Sequence, residues 1–534
     1  MTDTPARRDP RRWVVAAILA VGGVAAIVLA ARMGDLLNAT YRFSDAPAAP
    51  LIGNAIGTRD VPVVVPTQTA IGMLWIDAAI AGLPAHHAME LVLGPLIALI
   101  GVVLLALATR RVGGRRASLI ALAMAAAIPP TVIWTITFQD NHVSTVATAA
   151  LLGWHLVRLS ATQWNAKTAI VSVIVGLFAG IGYASDPQLL VAGMLPFVAS
   201  LVITWRCRPA ARLPFRAAGV TVAALVVTDL IAQGVMAAQQ VQFLNIFAPH
   251  PDATGIVRGA TLSARGLTWM GDGQWYGGGW AAVVVIGVLA AGMMVALPVL
   301  ELRSALRMTG GDEPSTRRIL HVLYWGLAFY GLVGALIVSG ASSLDVQAHY
   351  ISGCFFCTAA LAPLALTRVR GRALVAGGAL VCGVMATNTV SVATIDTHLF
   401  STSAVAPESD GLVSLLETHH LTRGFAGYWE AYDITWRSEG TVQAWPVSQG
   451  RSCAGQGTTS LCAHGFSAAG PFRPRGGQTF LITRRDGTDC FTAPPDASIY
   501  GVPTATYRLG VFTVLVYADD VSQHFVPSVD PFCS

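Results

Sequence analysis

Acidic, imidazole and phenolic side chains recur just outside the long apolar segments of this sequence. A carboxylate or imidazole at a membrane–water boundary can act as a general base or orient an acceptor group. The same residues also suit simpler roles, because Asp and Asn commonly cap helices and Ser44-Asp45-Ala46-Pro47 is favourable turn chemistry. The candidates for a catalytic or substrate-binding role are Asp45, Asp140, His142, Asp345, His349 and Tyr350.

A second group of candidates lies in a polar stretch between two later apolar segments. Arg258 and Arg265 are cations in a region that otherwise has few of them. A guanidinium suits forked recognition of phosphate, although a solvated loop charge or a lipid headgroup contact is an equally simple interpretation. Trp269 and Trp275 follow in a Gly-rich run. Their rings can stack on a sugar or belong to the aromatic belt of a membrane interface.

Several familiar site motifs are missing from the sequence. It contains no phosphate-binding loop, no dinucleotide fingerprint, no zinc-ligand spacing and no Ser nucleophile elbow. We therefore expect no nucleotide-using domain and no cofactor. A divalent metal is possible but is not favoured.

Composition places most of the chain in lipid. Of its 534 residues, 54% are hydrophobic and 12% are charged, about half the usual charged fraction. A span needs about 20 apolar residues. We read the first run as a retained span rather than a signal peptide, because no small-residue cleavage site precedes a soluble domain. The eleven predicted spans cover 13–33, 86–109, 117–138, 143–160, 168–184, 188–205, 217–236, 279–298, 319–340, 350–367 and 373–393.

The distribution of Lys and Arg predicts the orientation. With the N-terminus inside, the inner segments carry 21 of these residues, and the outer segments before the C-terminal tail carry 5. Positive residues favour the cytoplasmic side, so we expect the basic tail 1–12 in the cytoplasm and the long loops 34–85 and 237–278 outside. The net charge of +5 then reflects topology and gives no reason to expect nucleic acid as a partner.

The C-terminal segment has a different composition. Residues 394–534 combine a helix start near Ser409 with alternating runs at 440–446, 478–483 and 509–517, which predict a small extracytoplasmic α+β domain. Its four cysteines fit two disulfides in an oxidising compartment, and three pairings are possible. We favour Cys453–Cys462 and Cys490–Cys533, because the first pair closes a short Gly/Thr/Ser loop.

The fold class expected is a mainly α, polytopic membrane protein of about eleven helices with a C-terminal α+β domain. Over residues 13–393 this pattern resembles the GT-C membrane glycosyltransferases, similar to protein O-mannosyltransferases and lipid A aminoarabinose transferases of bacteria. The resemblance rests on architecture more than on a rigid motif. The pieces that carry it are Phe43-Ser44-Asp45, Gln139-Asp140-Asn141-His142, Gly176 to Gly182 with Ser185-Asp186-Pro187, and Asp345 to Tyr350.

The resemblance implies a sugar donor on a polyprenyl phosphate, an acceptor outside the cytoplasm and a bacterial plasma-membrane location. Asp45 matches the base, Asp140 a second acid near the acceptor, and Arg258 or Arg265 the ligand of the donor phosphate. The chain departs from the family where Ala46 follows Asp45 instead of a second acid, which argues against a tightly bound metal. It also departs where His349 stands in place of arginine.

Two other function classes stay open. A transporter or lipid flippase would favour inverted repeats and buried charges, and the sequence offers only Asp229 as an obvious intramembrane charge. A non-catalytic cell-envelope assembly protein is the third possibility, in which Asp45 is a remnant.

Overall fold

A computed structural model describes most of the chain as helices, with strands concentrated toward the C-terminus. It describes residues 10–40, 45–58, 62–66, 71–81, 83, 86–137, 142–209, 213–244, 252–272, 281–307, 313–339, 350–395, 409–449, 461–463, 467–468, 470–484 and 500–525. The helices are α1 Pro10–Thr40, α2 Asp45–Thr58, α3 Ile71–Ile80, α4 His86–Ala126, α5 Pro130–Thr137, α6 Val143–Leu159, α7 Ala166–Ser185, α8 Leu195–Cys207, α9 Phe215–Ala238, α10 Ala253–Asp272, α11 Ala281–Leu306, α12 Glu313–Val338, α13 Gly353–Arg368, α14 Gly371–Thr394, α15 Ser409–Thr418 and α16 Tyr428–Arg437. The strands are β1 Val63–Pro66, β2 Val241–Leu244, β3 Arg423–Ala426, β4 Gln443–Gln449, β5 Leu461–Ala463, β6 Ser467–Ala468, β7 Thr479–Arg484, β8 Ala505–Leu509 and β9 Phe512–Tyr517.

The membrane-spanning character of the chain is confirmed. Among the described residues, 8 helices are long and apolar enough to cross a bilayer. The predicted spans 143–160 and 350–367 coincide with the shorter apolar helices α6 and α13, of 17 and 16 residues. A one-turn π-helix, Leu190–Met194, leads into α8. In the described part of the chain, every predicted span therefore overlaps helical structure, although the span 117–138 is interrupted between α4 and α5.

Helix α4 contains two spans, which reverse direction at a glycine. Gly114 has φ 78° and ψ −175°, a conformation that is essentially restricted to glycine. The hydroxyl of Ser118 donates to the carbonyl of Ala106 at 3.0 Å. Twelve residues of straight helix would separate these two positions by about 18 Å, so the chain folds back on itself here. This reversal falls between the predicted spans 86–109 and 117–138.

Small residues bring α7 and α9 into close contact. Gly176 and Gly180 lie one turn apart on α7, and a Cβ on either would come within 2.5 Å of a carbonyl oxygen of α9. A small-xxx-small pattern allows this approach because the helix backbones touch directly. Asn165 caps the start of α7 by accepting from the amide of Thr168 at 2.9 Å.

The predicted outer loop 237–278 contains regular secondary structure in its described part, and its place outside the membrane stays a prediction. It contains β2 and the 20-residue helix α10. A hydropathy window misses such a helix because apolar and polar residues alternate at helical spacing and the average stays low. On α10, Leu262, Trp269 and Met270 are buried, whereas Arg258 and Arg265 are exposed.

The chain divides into two compact units, each assembled from distant segments. Unit 1 comprises residues 1–34, 93–232 and 247–395, and unit 2 comprises 35–92, 233–246 and 396–534. Unit 2 therefore joins the predicted C-terminal domain to parts of both predicted outer loops.

Two sheets organise unit 2. The first has three strands in the order β2-β1-β6, with β1 parallel to β2 and antiparallel to β6. The second has six strands in the order β5-β4-β3-β7-β9-β8. Helix α16 is the crossover between the parallel strands β3 and β4. One buried core group of this unit includes Leu412, Leu416, Ile434, Phe480, Phe512 and Val514. The α+β character predicted for the C-terminal segment is confirmed.

Candidate functional site

His142 and Asp186 form a buried polar pair in unit 1, and this pair is the centre of the candidate site. His142 immediately precedes α6, and Asp186 immediately follows α7. The Nδ1 atom of His142 lies 2.6 Å from Oδ2 of Asp186, and the two residues are 2% and 1% exposed. The hydroxyl of Thr145 donates to the same carboxylate oxygen at 2.5 Å. This carboxylate therefore links the start of one helix to the end of another.

The backbone at Asp186 explains why it is placed there. Asp186 is extended, and its second oxygen, Oδ1, accepts from the backbone amide of Gln188 at 2.9 Å. This is the turn chemistry that Ser185-Asp186-Pro187 predicts, because Asp commonly bonds to the backbone two residues ahead and Pro cannot extend the helix. One oxygen of the carboxylate thus holds the turn, and the other reaches His142.

A third interhelical segment of unit 1, the one that precedes α13, contacts this pair. The ring of Tyr350 packs edge-on against the His142 ring, with centroids 5.0 Å apart. Two residues later, the hydroxyl of Ser352 accepts a hydrogen bond of 2.8 Å from Thr135 of α5. The interhelical segments before α6, after α7 and before α13 therefore come together. The sequence predicts all three on one side of the membrane, and the structure brings His142, Asp186 and Tyr350 into one cluster.

The cavity beside this cluster is too small for a sugar. It has a volume of about 20 Å³, which is room for about one water molecule. In this arrangement the pair holds together the chain segments around it, and a catalytic role for His142 and a substrate-binding role for Tyr350 stay predictions. Side chains that line the cavity include His142, Thr145, Trp325, Tyr350, Ser352 and Cys357.

The two candidate phosphate ligands share one exposed face of α10. Arg258 and Arg265 are seven residues apart, so they lie two turns apart on the same side, separated by about 10.5 Å along the axis. The guanidinium of Arg265 lies 4.6 Å from the ring centroid of Trp269. A cation–π contact of this kind holds the guanidinium in a defined place.

The ring of Trp269 is buried, whereas a tryptophan that stacks on a sugar presents an open ring face. Trp269 is 6% exposed, and Arg265 covers one face of its ring. This burial favours a role in packing α10 and holding Arg265. A sugar-stacking role for Trp269 stays a prediction.

Several sequence-predicted site residues lie outside the described part of the chain. Asp45 begins α2, but its side chain is not among the described ones. The others are Asp140, Trp275, Asp345 and His349. Their catalytic or binding roles stay predictions. The tail pairing also stays a prediction, because Cys453, Cys490, Cys533 and the side chain of Cys462 lie outside as well.

Asp186 and Thr145 are the residues that the sequence reading leaves out of the site. Asp186 was recognisable as a turn residue, but its partner lies 44 positions away. Thr145 carries no signal of its own, because a threonine on an apolar helix usually bonds to its own backbone.

An apolar cavity lies elsewhere in unit 1, among α11, α13, α14 and the end of α4. Its volume is about 270 Å³, and its walls are almost entirely apolar. Representative lining residues are Met124, Met293, Phe355 and Val381. Asn388 also lines it and donates to the carbonyls of Ala127 and Met270, both at 3.2 Å. This amide ties α14 to α10 and to the residue following α4.

Comparison with solved structures identifies the fold. The crystal structure of ArnT from Cupriavidus metallidurans in the apo state matches with a TM-score of 0.54 and 12% identity, covering 95% of this chain and 100% of that chain. The chain has the GT-C fold. The ArnT structure bound to undecaprenyl phosphate matches this GT-C chain with a TM-score of 0.53, at 12% identity, over 95% and 99% of the two chains.

A more distant match is the apo oligosaccharyltransferase of Archaeoglobus fulgidus. Its TM-score is 0.44 at 12% identity, and 80% of this chain and 64% of that one are covered. No protein-family model matches the sequence, and no curated protein matches it significantly. The identification of the GT-C fold therefore rests on the ArnT structures.

Proposed function

We propose that this protein is a membrane glycosyltransferase that moves a sugar from a polyprenyl-phosphate donor to an extracytoplasmic acceptor. The observation that carries the proposal is the fold shared with ArnT over nearly the full length of both chains. One of those ArnT structures is bound to undecaprenyl phosphate, the kind of lipid that the proposed reaction releases. The orientation predicted from Lys and Arg puts the candidate residues on the side away from the cytoplasm, and the location we propose is the plasma membrane of a bacterium.

The proposed reaction is an inverting displacement. An acceptor hydroxyl attacks the anomeric carbon of the sugar, and the bond between that carbon and the phosphate oxygen breaks. Asp45 takes the hydroxyl proton as general base, and Asp140 orients the acceptor. The leaving polyprenyl phosphate gains negative charge, which a guanidinium stabilises. Arg265 or Arg258 supplies that guanidinium on the exposed face of α10.

The apolar cavity supports the lipid part of this proposal. A polyprenyl chain is pure hydrocarbon, and the walls around Met293, Phe355 and Val381 offer it a dry surface. Asn388 joins the cavity wall to Met270, which lies on the same helix as Arg265. A lipid held there would run close to the helix that carries the proposed phosphate ligand. The sugar, hexose or pentose, and the acceptor, whether glycan, lipid or protein, are left open by this proposal.

The direct test is transfer in proteoliposomes. A panel of radiolabelled undecaprenyl-phospho-sugars is incubated with the protein and an envelope extract as the source of acceptor. We expect wild type to move label from donor to acceptor, and Asp45→Asn to reduce turnover by about 10²–10⁴-fold. The matched control is Asp519→Asn, which removes an exposed carboxylate elsewhere.

Each outcome of this test is informative. Full activity of Asp45→Asn would remove the base assignment while leaving the transferase proposal intact. Movement of the donor lipid across the bilayer, without transfer by wild type from any donor in the panel, would favour the transporter or flippase reading. Activity lost on adding a chelator and restored by a divalent metal would show that the reaction needs a metal.

A further inference from the structure

Three side chains of types that can ligate a metal lie together at the beginning of α4 in unit 2. They are His86, His87 and Glu90, and one potential ligand atom from each lies within 4.8 Å of the other two. The helix explains the grouping, since residues three and four positions apart share a face. His86 and Glu90 are four apart, and His87 and Glu90 are three apart. No sequence motif that we searched for contains this arrangement.

The separation between two of these groups fits shared metal coordination better than a direct hydrogen bond. His87 Nδ1 lies 3.5 Å from Glu90 Oε2. A charged hydrogen bond between such groups is usually about 2.7–2.9 Å long. Two ligands that are each about 2.0–2.2 Å from a tetrahedral Zn²⁺ lie about 3.3–3.6 Å from one another by geometry. The pair is therefore spaced as neighbouring ligands of one ion.

Burial strengthens the case. Glu90 is 0% exposed, so bulk water does not surround its carboxylate. In such a low-dielectric position its attraction for a divalent cation is stronger than it would be at an exposed site. The His87 side chain is 21% exposed, so an ion has a path in from solvent.

The two imidazoles are also oriented by their surroundings. His86 Nδ1 lies 3.3 Å from the carbonyl of Leu83, and a proton on that nitrogen leaves a lone pair on Nε2 for a metal. Metal-binding histidines commonly donate their other ring nitrogen to a carbonyl in this way. The His87 ring packs edge-on against Trp436 of α16, with centroids 4.5 Å apart.

We propose that His86, His87 and Glu90 form a binding site for a divalent transition metal of the Zn²⁺ class. Two imidazoles and one carboxylate suit Zn²⁺ or Co²⁺ and do not suit Mg²⁺, which prefers oxygen ligands. Three protein ligands leave a fourth position for water or another group. This inference does not rest on the proposed transferase activity, and its test measures binding alone.

The experiment uses full-length protein in detergent, purified with a histidine-free tag and stripped with a chelator. Elemental analysis after loading with Zn²⁺ and desalting should give one zinc per chain. Loading with Co²⁺ should produce the visible absorption of a four- or five-coordinate ion. Mg²⁺ at the same concentration should displace neither metal.

A matched pair of variants tests the assignment, because the chain contains a second His-His dipeptide. His419 and His420 directly follow α15 in the same unit, and among the described residues no carboxylate forms a three-ligand group with them. His86→Asn/His87→Asn should lower zinc affinity by more than the roughly 10–100-fold that loss of an outer-shell partner costs. His419→Asn/His420→Asn should leave affinity unchanged, and Asn tolerates the positive φ of 54° at position 420.

Glu90→Gln provides the second variant, because it retains shape while removing the anionic ligand. Circular dichroism and size-exclusion profiles verify that each variant folds. The proposal is overturned if stripped and reloaded wild type holds well under one zinc per chain. It is also overturned if both double variants lose zinc equally, or if wild-type Co²⁺ protein shows only the weak spectrum of the hydrated ion.

Discussion

The guanidinium of Arg368 lies 2.6 Å from Oε1 of Glu301, a carboxylate with no exposed surface. Arg318 reaches the other oxygen of Glu301 at 2.9 Å. The carboxylate thus joins the ends of α11 and α13 to the start of α12. All three positions belong to segments that the Lys and Arg distribution places on the cytoplasmic side, so the contact agrees with the predicted topology.

Replacing this carboxylate should destabilise the protein. Glu301→Gln leaves two guanidinium groups facing a neutral amide, and breaking a buried ion pair on one side costs up to about 3–5 kcal/mol. Arg368 is 36% exposed, which reduces the loss. We expect a lower melting temperature in detergent. Glu313→Gln, at a half-exposed carboxylate paired with Arg317, is the control and should change it little. Equal melting temperatures for Glu301→Gln and wild type would contradict the prediction.

Coupling between His142 and Asp186 should be measurable by a double-mutant cycle. His142→Asn and Asp186→Asn each remove the buried contact, so the double variant should lose less stability than the sum of the singles. Coupling energies of contacting residues are about 0.5–3 kcal/mol. The same cycle with His142→Asn and Gly219→Ala should give about zero. Strict additivity at the first pair would show that the 2.6 Å contact contributes nothing to stability.

The close contact of α7 with α9 should not tolerate even a methyl group. In Gly180→Ala, the new Cβ would lie 2.5 Å from the Leu225 carbonyl oxygen, so the helices must separate. Overpacking of this kind costs typically about 1–3 kcal/mol. Gly219→Ala is the control, because nothing lies within 4 Å of the Cβ it adds on α9. Thermal unfolding of the two variants in the same detergent gives the comparison, and an unaffected Gly180→Ala protein would refute the close packing.

We expect Asp520 to make a pH-dependent contribution to the stability of unit 2. Burial raises the pKa of this carboxyl, but hydrogen bonds from the Ser522 side chain, the Arg475 and Ser522 amides and the Arg423 guanidinium together lower the pKa below its usual range. The folded form therefore releases the proton more readily than the unfolded chain, whose Asp pKa is about 3.9. The stabilisation is present above about pH 4 and is lost as the pH falls through the folded pKa.

The measurement compares wild type with Asp520→Asn. We expect Asp520→Asn to melt at a lower temperature near pH 7, and the difference to shrink as the pH falls below about 4. The exposed neighbour variant Asp519→Asn should show no such trend. A difference between wild type and Asp520→Asn that is independent of pH would mean that the ionised form is not the one stabilised.

Arg265→Ala should weaken binding of the proposed donor. A hydrogen bond to a charged phosphate contributes about 1.5–3 kcal/mol, which is about 10–150-fold in affinity. Arg258→Ala, two turns away on the same face of α10, is the comparison that decides which guanidinium is used. Binding is measured with undecaprenyl phosphate in the same detergent. An unchanged affinity for undecaprenyl phosphate in both variants would show that neither arginine of α10 binds the phosphate.

The sequence predicts the structure best where the cause is a residue, or a short run of residues, that acts on its own stretch of chain. Apolar runs predict the spans, Gly113-Gly114 between four arginines marks the reversal inside α4, and Asp186-Pro187 marks the turn after α7. Alternation in the tail locates β7 and β9 to within a few residues. In each case a short-range physical cause, either hydrophobic burial or a restricted backbone, decides the structure.

The remaining features depend on contacts between distant positions. A hydropathy average does not detect helix α10, because the polar residues of its exposed face, including Arg258 and Arg265, lower the average that its buried apolar residues raise. Nothing near His142 indicates that its partner lies 44 residues further on. The cluster of His86, His87 and Glu90 is local, but a search for standard zinc spacings passes over it.

The small sheet of unit 2 has a consequence for the order in which the protein is made. Its middle strand, β1, is synthesised first, the parallel neighbour β2 about 180 residues later and β6 after a further 220 or so. A ribosome must therefore finish most of the chain before the edges of β1 are both covered. During that interval the exposed edge is open to mispairing. Nascent chains of this protein should need protection on the membrane surface until translation is nearly complete.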